Sequence, residues 1–252
     1  MSTSTDMLGP TKETDGIDKA EAKREFGRLN KHLQDHQQRL YADGRHALLV
    51  VLQGMDASGK DGTVRHVFRG VNPQGVRVQS FKQPTPEEAR HDFLWRIHAA
   101  VPPLGMIGVF NRSHYEDVLV SRVHALVPEG VWRRRYDEIN DFEHMLTGAG
   151  VTVVKFMLHI SPEEQARRFE RRLRDPRRHW KFSASDLQER ERWDQYQEAY
   201  ADVVRLCSTE WAPWTVVPAD RKWYRNLVVA RSIVAVLRAM DLRYPDLPEV
   251  AP

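Results

Sequence analysis

The chain has 252 residues, a single cysteine and a formal net charge of +3. This length can bury a substantial core, and we expect one domain over residues 17–252, preceded by a flexible, polar tail over residues 1–16. Because Cys207 is the only cysteine, an intrachain disulfide and a zinc site built from cysteines are excluded. No apolar run approaches the roughly 18 residues of a membrane span, and the N-terminus lacks the order of a signal peptide. We therefore expect a cytoplasmic protein with no membrane partner.

Apolar runs alternate along the chain with stretches of helical periodicity. The predicted strands are residues 47–52, 76–80, 106–110, 151–158 and 215–217. The predicted helices are residues 18–42, a helix continuing over 63–68, one opened by Thr85, Pro86 and Glu88, 115–124, 131–146, one opened by Ser161, Pro162 and Glu164, 185–207 and 222–240. Strands that alternate with helices predict a mainly parallel sheet covered on both faces, with ligands at the carboxyl ends of the strands.

The stretch HALLVVLQGMDASGKDGTVRHVF, residues 46–68, reads as a buried strand, a glycine-bounded loop and a helix. Gly54, Gly59 and Lys60 satisfy the first seven positions of the P-loop (Walker A) pattern GxxxxGK[ST], whose N–H groups and lysine bind phosphate. The eighth position is Asp61 instead of Ser or Thr. Asp56 lies inside the loop, where a carboxylate next to phosphates is tolerable if a metal ion sits between them. The alternative is a strand-to-helix turn without a ligand.

Basic residues are concentrated in one segment. Residues 165–181 contain seven arginines and one lysine against two carboxylates, which predicts a polyanionic partner. Within it Arg168, Arg171 and Arg172 have the spacing that lets at least two side chains face one groove. Residues 175–183 lack a helical period, and we predict a lid at about residues 173–186. The alternative is a solvated basic helix face.

Polar residues follow the third predicted strand. Asn111 and Arg112 emerge at the sheet edge where the P-loop also emerges. Tyr115, Glu116 and Arg122 follow at spacings that can share one side of a helix with Arg112. Phosphoryl transfer needs positioning, metal ions and cations more than covalent chemistry, and these residues supply such groups.

Four runs resemble one known family. In chain order they are LQGMDASGKDGTVRHVFRGVNPQGVRVQSFKQPTPEE, FLWRIHAAVPPLGMIGVFNRSHYEDVLVSRVH, HWKFSASDLQERERWDQY and APWTVVPADRKWYRN. The chain is similar over roughly residues 18–245 to polyphosphate kinase family 2, most closely its class III branch. The resemblance implies a P-loop kinase-like three-layer α/β/α sandwich with a helical lid. It also implies transfer of the terminal phosphoryl group of inorganic polyphosphate to AMP and ADP, giving ADP and ATP, with Mg²⁺ or Mn²⁺ and without a phosphoenzyme.

The resemblance also assigns residues. Asp56 matches the metal carboxylate of the family's first motif, Lys60 its phosphate lysine, Arg112 the arginine beside the second motif, and Arg172 the basic residue that grips polyphosphate under the lid. Asn111 stands where other branches have aspartate. A homotetramer is a further implication.

The predicted site has three groups of residues. The catalytic residues are Asp56, Lys60, Arg112 and Arg172. The phosphate- and nucleotide-binding residues are Gly54, Ala57, Ser58, Gly59, Lys60, Asp61, Gly62, Lys82, Asn111, Tyr115, Glu116, Arg122, Arg168 and Arg171. The metal ligand is Asp56, with Asn111 as a candidate second ligand. Two other functions share parts of this pattern: an ATP-dependent nucleoside monophosphate kinase, and a non-enzymatic binder of polyanions or nucleic acid, although no nucleic-acid-binding module is recognisable.

Overall fold

The computed structural model describes residues 7–181 and 184–246, with the backbone alone for residue 181 and residues 184–187. Its strands are β1 (Ala47–Gln53), β2 (Val76–Ser80), β3 (Ile107–Asn111), β4 (Val151–His159) and β5 (Trp214–Pro218). They form one parallel sheet in the order β2-β3-β1-β4-β5. All five strands were predicted, and each bound differs from its prediction by at most one residue.

The helices cover both faces of the sheet. Those described are α1 (Lys19–Asp43), α2 (Lys60–Val67), α3 (Trp95–His98), α4 (Glu116–Val123), α5 (Glu129–Gly148), α6 (Pro162–Arg174), α7 (Ala184–Glu191), α8 (Trp193–Leu206) and α9 (Lys222–Ala239). α1 and α2 pack on α9 in one layer, and α4 packs on α5 and α8 in the other. The predicted three-layer α/β/α sandwich is confirmed. In the described part of the chain no helix is long and apolar enough to span a bilayer.

β1 is the centre of the core, and all seven of its residues are buried between its neighbours β3 and β4. A strand covered on both faces needs apolar side chains at every position, which explains the continuous run in the sequence. Leu52 of β1 lies beside Asn111 of β3. The P-loop and the residues after β3 therefore leave the sheet at the same edge.

The N-terminal segment packs more closely than its composition predicts. Leu8 is 1% exposed, and His159 Nδ1 lies 2.9 Å from its carbonyl oxygen. Thr11 donates a hydrogen bond to Asp220. Leu8, the single leucine within the predicted polar tail, therefore enters the core. Residues 1–6 lie outside the described residues.

Two predicted helix starts have different outcomes. Ser161 caps α6, accepting from the Glu164 N–H at 3.2 Å. Thr85 and Glu88 also form their predicted reciprocal cap, at 2.8 and 3.2 Å. Only a single 3₁₀ turn, Glu88–Arg90, follows that second cap, because His91 is extended and ends it. The prediction of a regular helix there is wrong.

The predicted helix over residues 185–207 is divided. The division lies at Arg192, which has φ −97° and ψ 22° and separates α7 from α8. α7 begins at residue 184, one residue before the predicted start of the helix. The predicted lid contains the end of α6 and a 3₁₀ helix over Pro176–Lys181. Residues 182 and 183 of that lid lie outside the described residues, as do the side chains of residues 184–186.

A fully buried polar cluster joins β4, α5 and the segment after β3. Lys155 Nζ donates to Glu143 Oε2 at 2.5 Å and to the Tyr115 hydroxyl at 2.8 Å. Tyr115 and His114 both contact Glu143 Oε1, at 2.9 and 3.1 Å. Burial alone would raise the pKa of Glu143, but His114 and Lys155 hold it below its usual value. The cluster therefore carries a carboxylate and an ammonium group that compensate each other.

We expect Glu143→Gln to lower the free energy of unfolding by about 3–5 kcal/mol, because the Lys155 charge would stay buried without a carboxylate. Urea denaturation at neutral pH measures the change. Glu138→Gln, at an exposed position of the same helix, is the matched control and should change stability by less than about 0.5 kcal/mol. A loss at Glu143 no larger than the loss in the control contradicts the prediction.

Candidate active site

The loop between β1 and α2 has a backbone that needs glycine. Gly54, Ala57 and Gly59 have φ angles of 142°, 63° and 111°. A Cβ atom on Gly54 would lie 2.6 Å from the Leu158 carbonyl oxygen, and one on Gly59 would lie 1.8 Å from Arg225 Nη1. Both glycines are therefore required by conformation and by space. The loop leads into the N-terminus of α2, where backbone N–H groups favour an anion.

Lys60 is the first residue of α2 and is folded back onto the loop. Its Nζ donates to the carbonyl oxygens of Gly54 at 2.5 Å and Met55 at 3.3 Å. Burial, and secondarily the charge of Arg112, lower the pKa of Lys60 to about 8. A phosphate bound beside it favours the charged form of the lysine, since an opposite charge raises the pKa of an ammonium group.

Asp56 and Arg112 form the ion pair at the centre of the site. Arg112 Nη2 donates to Asp56 Oδ1 at 2.6 Å, and Arg112 Nη1 donates to Glu116 Oε2 at 3.1 Å. Burial would raise the pKa of Asp56, but the charges of Lys60 and Arg112 keep it below its usual value. Asp56 is therefore ionised at neutral pH. Arg112 itself has a positive φ of 64°, an uncommon conformation for a residue with a Cβ.

Asn111, the last residue of β3, contacts Asp61 in the first turn of α2. Asn111 Nδ2 donates to Asp61 Oδ1 at 2.7 Å. Asp61 occupies the P-loop position that usually carries a hydroxyl. The contact uses the amide nitrogen of Asn111 and leaves its amide oxygen as an uncharged oxygen ligand.

Two cavities meet at this ion pair. The larger has a volume of about 970 Å³ and is lined by the loop, α6 and the start of α9. The smaller has a volume of about 490 Å³ and is lined by residues of α4 and α8. Asp56, Lys82 and Arg112 line both. A molecule in each cavity could therefore meet the other beside the same carboxylate and the same guanidinium.

The two cavities differ in charge. Eleven lysine and arginine residues line the larger one, against Asp56 and Asp61 as its carboxylates. Four carboxylates and three basic residues line the smaller one, together with apolar and aromatic groups that include Leu119, Tyr196 and Tyr200. The larger cavity is suited to a polyanion and the smaller one to a mixed polar and apolar molecule.

The basic helix α6 has two functionally different sides. Arg171 and Arg172 line the larger cavity, as predicted from their spacing. Arg168 is buried, and its guanidinium donates to the carbonyl oxygens of Ala57 at 2.9 Å and Ser58 at 2.8 Å. It also donates to the backbone at residues 219 and 220 and to Glu164. These contacts occupy the N–H donors of Arg168, although its side chain also lines the larger cavity, so a direct bond from Arg168 to phosphate stays a prediction.

All but three of the predicted site residues line one of the two cavities. The exceptions are Ser58, Tyr115 and Arg122. Ser58 is 0% exposed and its N–H donates to Met55. Tyr115 belongs to the buried Glu143 cluster, and Arg122 pairs with Asp202 at 2.7 Å. Tyr115 and Arg122 are directed to partners in the protein, and the buried Ser58 Oγ has no hydrogen-bond partner among the described residues. The structure therefore gives no support to a binding role for these three residues, and those roles stay predictions.

Five of the lining residues that the sequence interpretation missed carry groups suited to a phosphate or a nucleotide. They are Arg96, Tyr196, Tyr200, Lys222 and Arg225. One signal was available for the last two: they follow the carboxyl end of the last predicted strand, at the ligand-binding edge of a parallel sheet. Arg96 and the two tyrosines come from α3 and α8, whose positions depend on tertiary packing.

Comparison with known proteins agrees with this geometry. The AMP/ADP-polyphosphate phosphotransferase of Meiothermus ruber is 54% identical over 223 residues, which is 88% of this chain and 83% of that protein. The ADP-polyphosphate phosphotransferase of Rhodopseudomonas palustris is 46% identical over 226 residues, covering 85% and 78% of the two chains. The crystal structure of polyphosphate kinase 2 from Arthrobacter aurescens TC1 superposes with a TM-score of 0.90 at 42% identity, covering 99% of this chain and 94% of that one.

A family model extends the agreement to nearly the whole chain. Residues 16–245 match the model of polyphosphate kinase 2. That range contains the P-loop, the Asp56–Arg112 pair and the basic helix α6. The resemblance inferred from the motifs is therefore confirmed, and the chain belongs to the polyphosphate kinase 2 family.

Proposed function

We propose that the chain transfers the terminal phosphoryl group of inorganic polyphosphate to AMP and ADP, forming ADP and ATP. The observation that carries the proposal is the meeting of a strongly basic cavity and a mixed cavity at Asp56 and Arg112. Relatives named as phosphotransferases of AMP, ADP and polyphosphate support the same substrates.

The charge of each cavity suggests which substrate it takes. Polyphosphate carries a negative charge on every unit, and the larger cavity offers the cations to bind it. A nucleotide combines an apolar base with a polar ribose and an anionic phosphate. The smaller cavity offers Leu119, Tyr196 and Tyr200 for the first and Lys82 and Arg112 for the last. The acceptor phosphate would then face the end of the polyphosphate chain where the two cavities meet, beside Asp56, Lys82 and Arg112.

The transfer itself requires no protein nucleophile. An oxygen of the acceptor phosphate attacks the terminal phosphorus of polyphosphate, a new P–O bond forms and the bridging P–O bond breaks. The departing polyphosphate, one unit shorter, takes the bonding electron pair. The acceptor oxygen is already ionised at neutral pH, so no general base is needed. Lys60 and Arg112 would stabilise the charge that develops around the transferred group.

The residues present fit a magnesium ion that takes most of its ligands from the substrate. Among the described residues no cluster of three or more His, Cys, Asp or Glu could hold a metal by itself. Mg²⁺ is commonly bound through one or two carboxylates together with substrate phosphates and water. Asp56 would hold it, with the amide oxygen of Asn111 as a second ligand, and Mn²⁺ would fit the same oxygen ligands. When bound, the ion neutralises phosphate charge.

Location and assembly belong to the same proposal. The nucleotide substrates favour a cytoplasmic enzyme, and the family resemblance favours a homotetramer that binds neither nucleic acid nor membranes. Light scattering on the purified protein measures the mass of the assembly.

The first prediction concerns the donor. With Mg²⁺, AMP and long-chain polyphosphate, the purified protein should produce ADP and then ATP. Product formation is followed by chromatography, with a reaction lacking polyphosphate as the control. Folded protein that makes no product contradicts the proposal. Phosphorylation of AMP by ATP that is as fast as by polyphosphate would favour an ATP-dependent nucleoside monophosphate kinase instead.

The second prediction concerns the loop. Asp56→Asn and Lys60→Ala should each remove roughly 99% of turnover, a loss of roughly 3 kcal/mol of transition-state stabilisation. The physical reason is the loss of the metal carboxylate in one variant and of the phosphate cation in the other. Initial rates at saturating substrates measure the effect. Lys31→Ala, at an exposed position of α1, should keep the wild-type rate, and a near-normal rate in either loop variant rejects the role of that residue.

The third prediction concerns the basic helix. Arg172→Ala should raise the KM for polyphosphate, with a larger effect at low salt than at high salt, because screening weakens the lost attraction. Arg177→Ala is the matched control, since Arg177 is exposed and pairs with Asp175. KM values at two salt concentrations measure both variants. Equal KM values for Arg172→Ala and the control would exclude a contact between Arg172 and the polymer.

A further inference from the structure

Two buried arginines hold the same carbonyl oxygen of the P-loop. Arg168 Nη1 donates to Ser58 O at 2.8 Å, and Arg225 Nη1 donates to it at 3.1 Å. In a trans peptide the N–H points away from the C=O, so the N–H of Gly59 points away from both guanidinium groups. The arginines therefore fix the direction of one backbone donor of the loop.

The two arginines differ in how their charge is compensated. Arg168 Nε donates to Glu164 Oε1 at 2.7 Å, which gives it a carboxylate partner. Arg225 donates from Nε and Nη2 to the neutral amide oxygen of Asn226, at 3.2 and 2.8 Å. Among the described residues no carboxylate forms an ion pair with Arg225, although its side chain lies in an interior where a charge normally has one.

The position of Arg225 in its helix adds to the free-energy cost of burying its charge. It is 2% exposed and lies in the first turn of α9, where the helix dipole disfavours a cation. Burial, and the neighbouring charge of Arg168, lower the pKa of Arg225 to about 9, which leaves the guanidinium charged at neutral pH.

The Arg225 guanidinium lies against the end of the loop, where α2 begins. A Cβ on Gly59 would meet Arg225 Nη1, and a Cβ on Gly62 would lie 3.3 Å from Nη2. Arg225 also lines the larger cavity. The missing side chain of Gly59 thus makes room for a cation directly beside the N-terminus of α2, where an anion is favoured.

We propose that Arg225 is a positioning residue for a phosphate group of polyphosphate. Its uncompensated charge attracts the phosphate, and its bond to the Ser58 carbonyl keeps the Gly59 N–H directed to that phosphate. The ligand thereby becomes the counter-ion that the protein lacks. The inference rests on the proposed function, because it takes polyphosphate as the ligand of the larger cavity.

Calorimetric titration with inorganic tripolyphosphate, without nucleotide, tests the proposal. Arg225→Gln keeps a donor for Ser58 and removes the charge, whereas Arg225→Lys keeps the charge. We expect the Kd to rise at least about tenfold in the glutamine variant and less than about threefold in the lysine variant, where tenfold corresponds to 1.4 kcal/mol. Arg231→Gln is the matched control on the same helix, since Arg231 pairs with Glu25 on the surface; its Kd should not change.

Thermal unfolding separates this role from a structural one. Because Arg225→Gln removes an unpaired buried charge, the ligand-free Tm should stay equal to or above that of the wild type, while the stabilisation by tripolyphosphate shrinks. A lowered Tm with an unchanged Kd would show that Arg225 only supports the fold and would overturn the proposal. Equal Kd values for the glutamine and lysine variants overturn it as well.

The same titration separates this inference from the proposed function. Wild-type protein that binds tripolyphosphate but transfers no phosphoryl group contradicts the function and leaves the role of Arg225 in place. Protein that transfers phosphoryl groups while Arg225→Gln binds with wild-type affinity contradicts only the role of Arg225. If one variant does not fold, the other decides: binding retained by the glutamine variant, or lost by the lysine variant, overturns the proposal.

Discussion

A buried phosphate-binding loop must turn its N–H groups to the ligand and still find donors for its carbonyl oxygens. In this chain, buried side chains donate hydrogen bonds to the carbonyl oxygens of all five residues from 54 to 58. Lys60 donates to the first two carbonyls, Gln165 to the third, Arg168 to the fourth and fifth, and Arg225 also to the fifth. The loop conformation is thus determined by residues on α2, α6 and α9 as much as by its own glycines.

This constraint explains why α6 is rich in arginine without being simply a basic surface. On its inner side, Gln165 and Arg168 donate hydrogen bonds to the carbonyl oxygens of the loop. Arg171 and Arg172 line the basic cavity. Glu164 accepts from Arg168 and also lies within ion-pair distance of Arg171. The same helix therefore positions the loop, supplies cations for a polyanion and carries a carboxylate that offsets part of their repulsion.

The strands and the loop were predictable because their signals are local. A strand buried on both faces leaves an unbroken apolar run, and Gly54, Gly59 and Lys60 lie within seven residues of one another. Tyr115 and Arg122 lie outside both cavities for the opposite reason. They follow the motif residue Arg112 in sequence, but Tyr115 turns into a cluster formed with distant parts of the chain, and Arg122 turns to α8. Arg225 was missed because its partner, the loop, lies more than 160 residues earlier.

The position of β1 has a consequence for how the chain reaches this structure. The central strand is synthesised first, yet one neighbour, β3, begins at Ile107 and the other, β4, begins only at Val151. After β1 is complete, one of its edges therefore stays unpaired for about fifty further residues and the other for about a hundred. Parallel pairing over such separations makes folding slow and exposes the strand to association with other chains. The production of this protein in cells should depend on temperature and chaperones more than its compact core would imply.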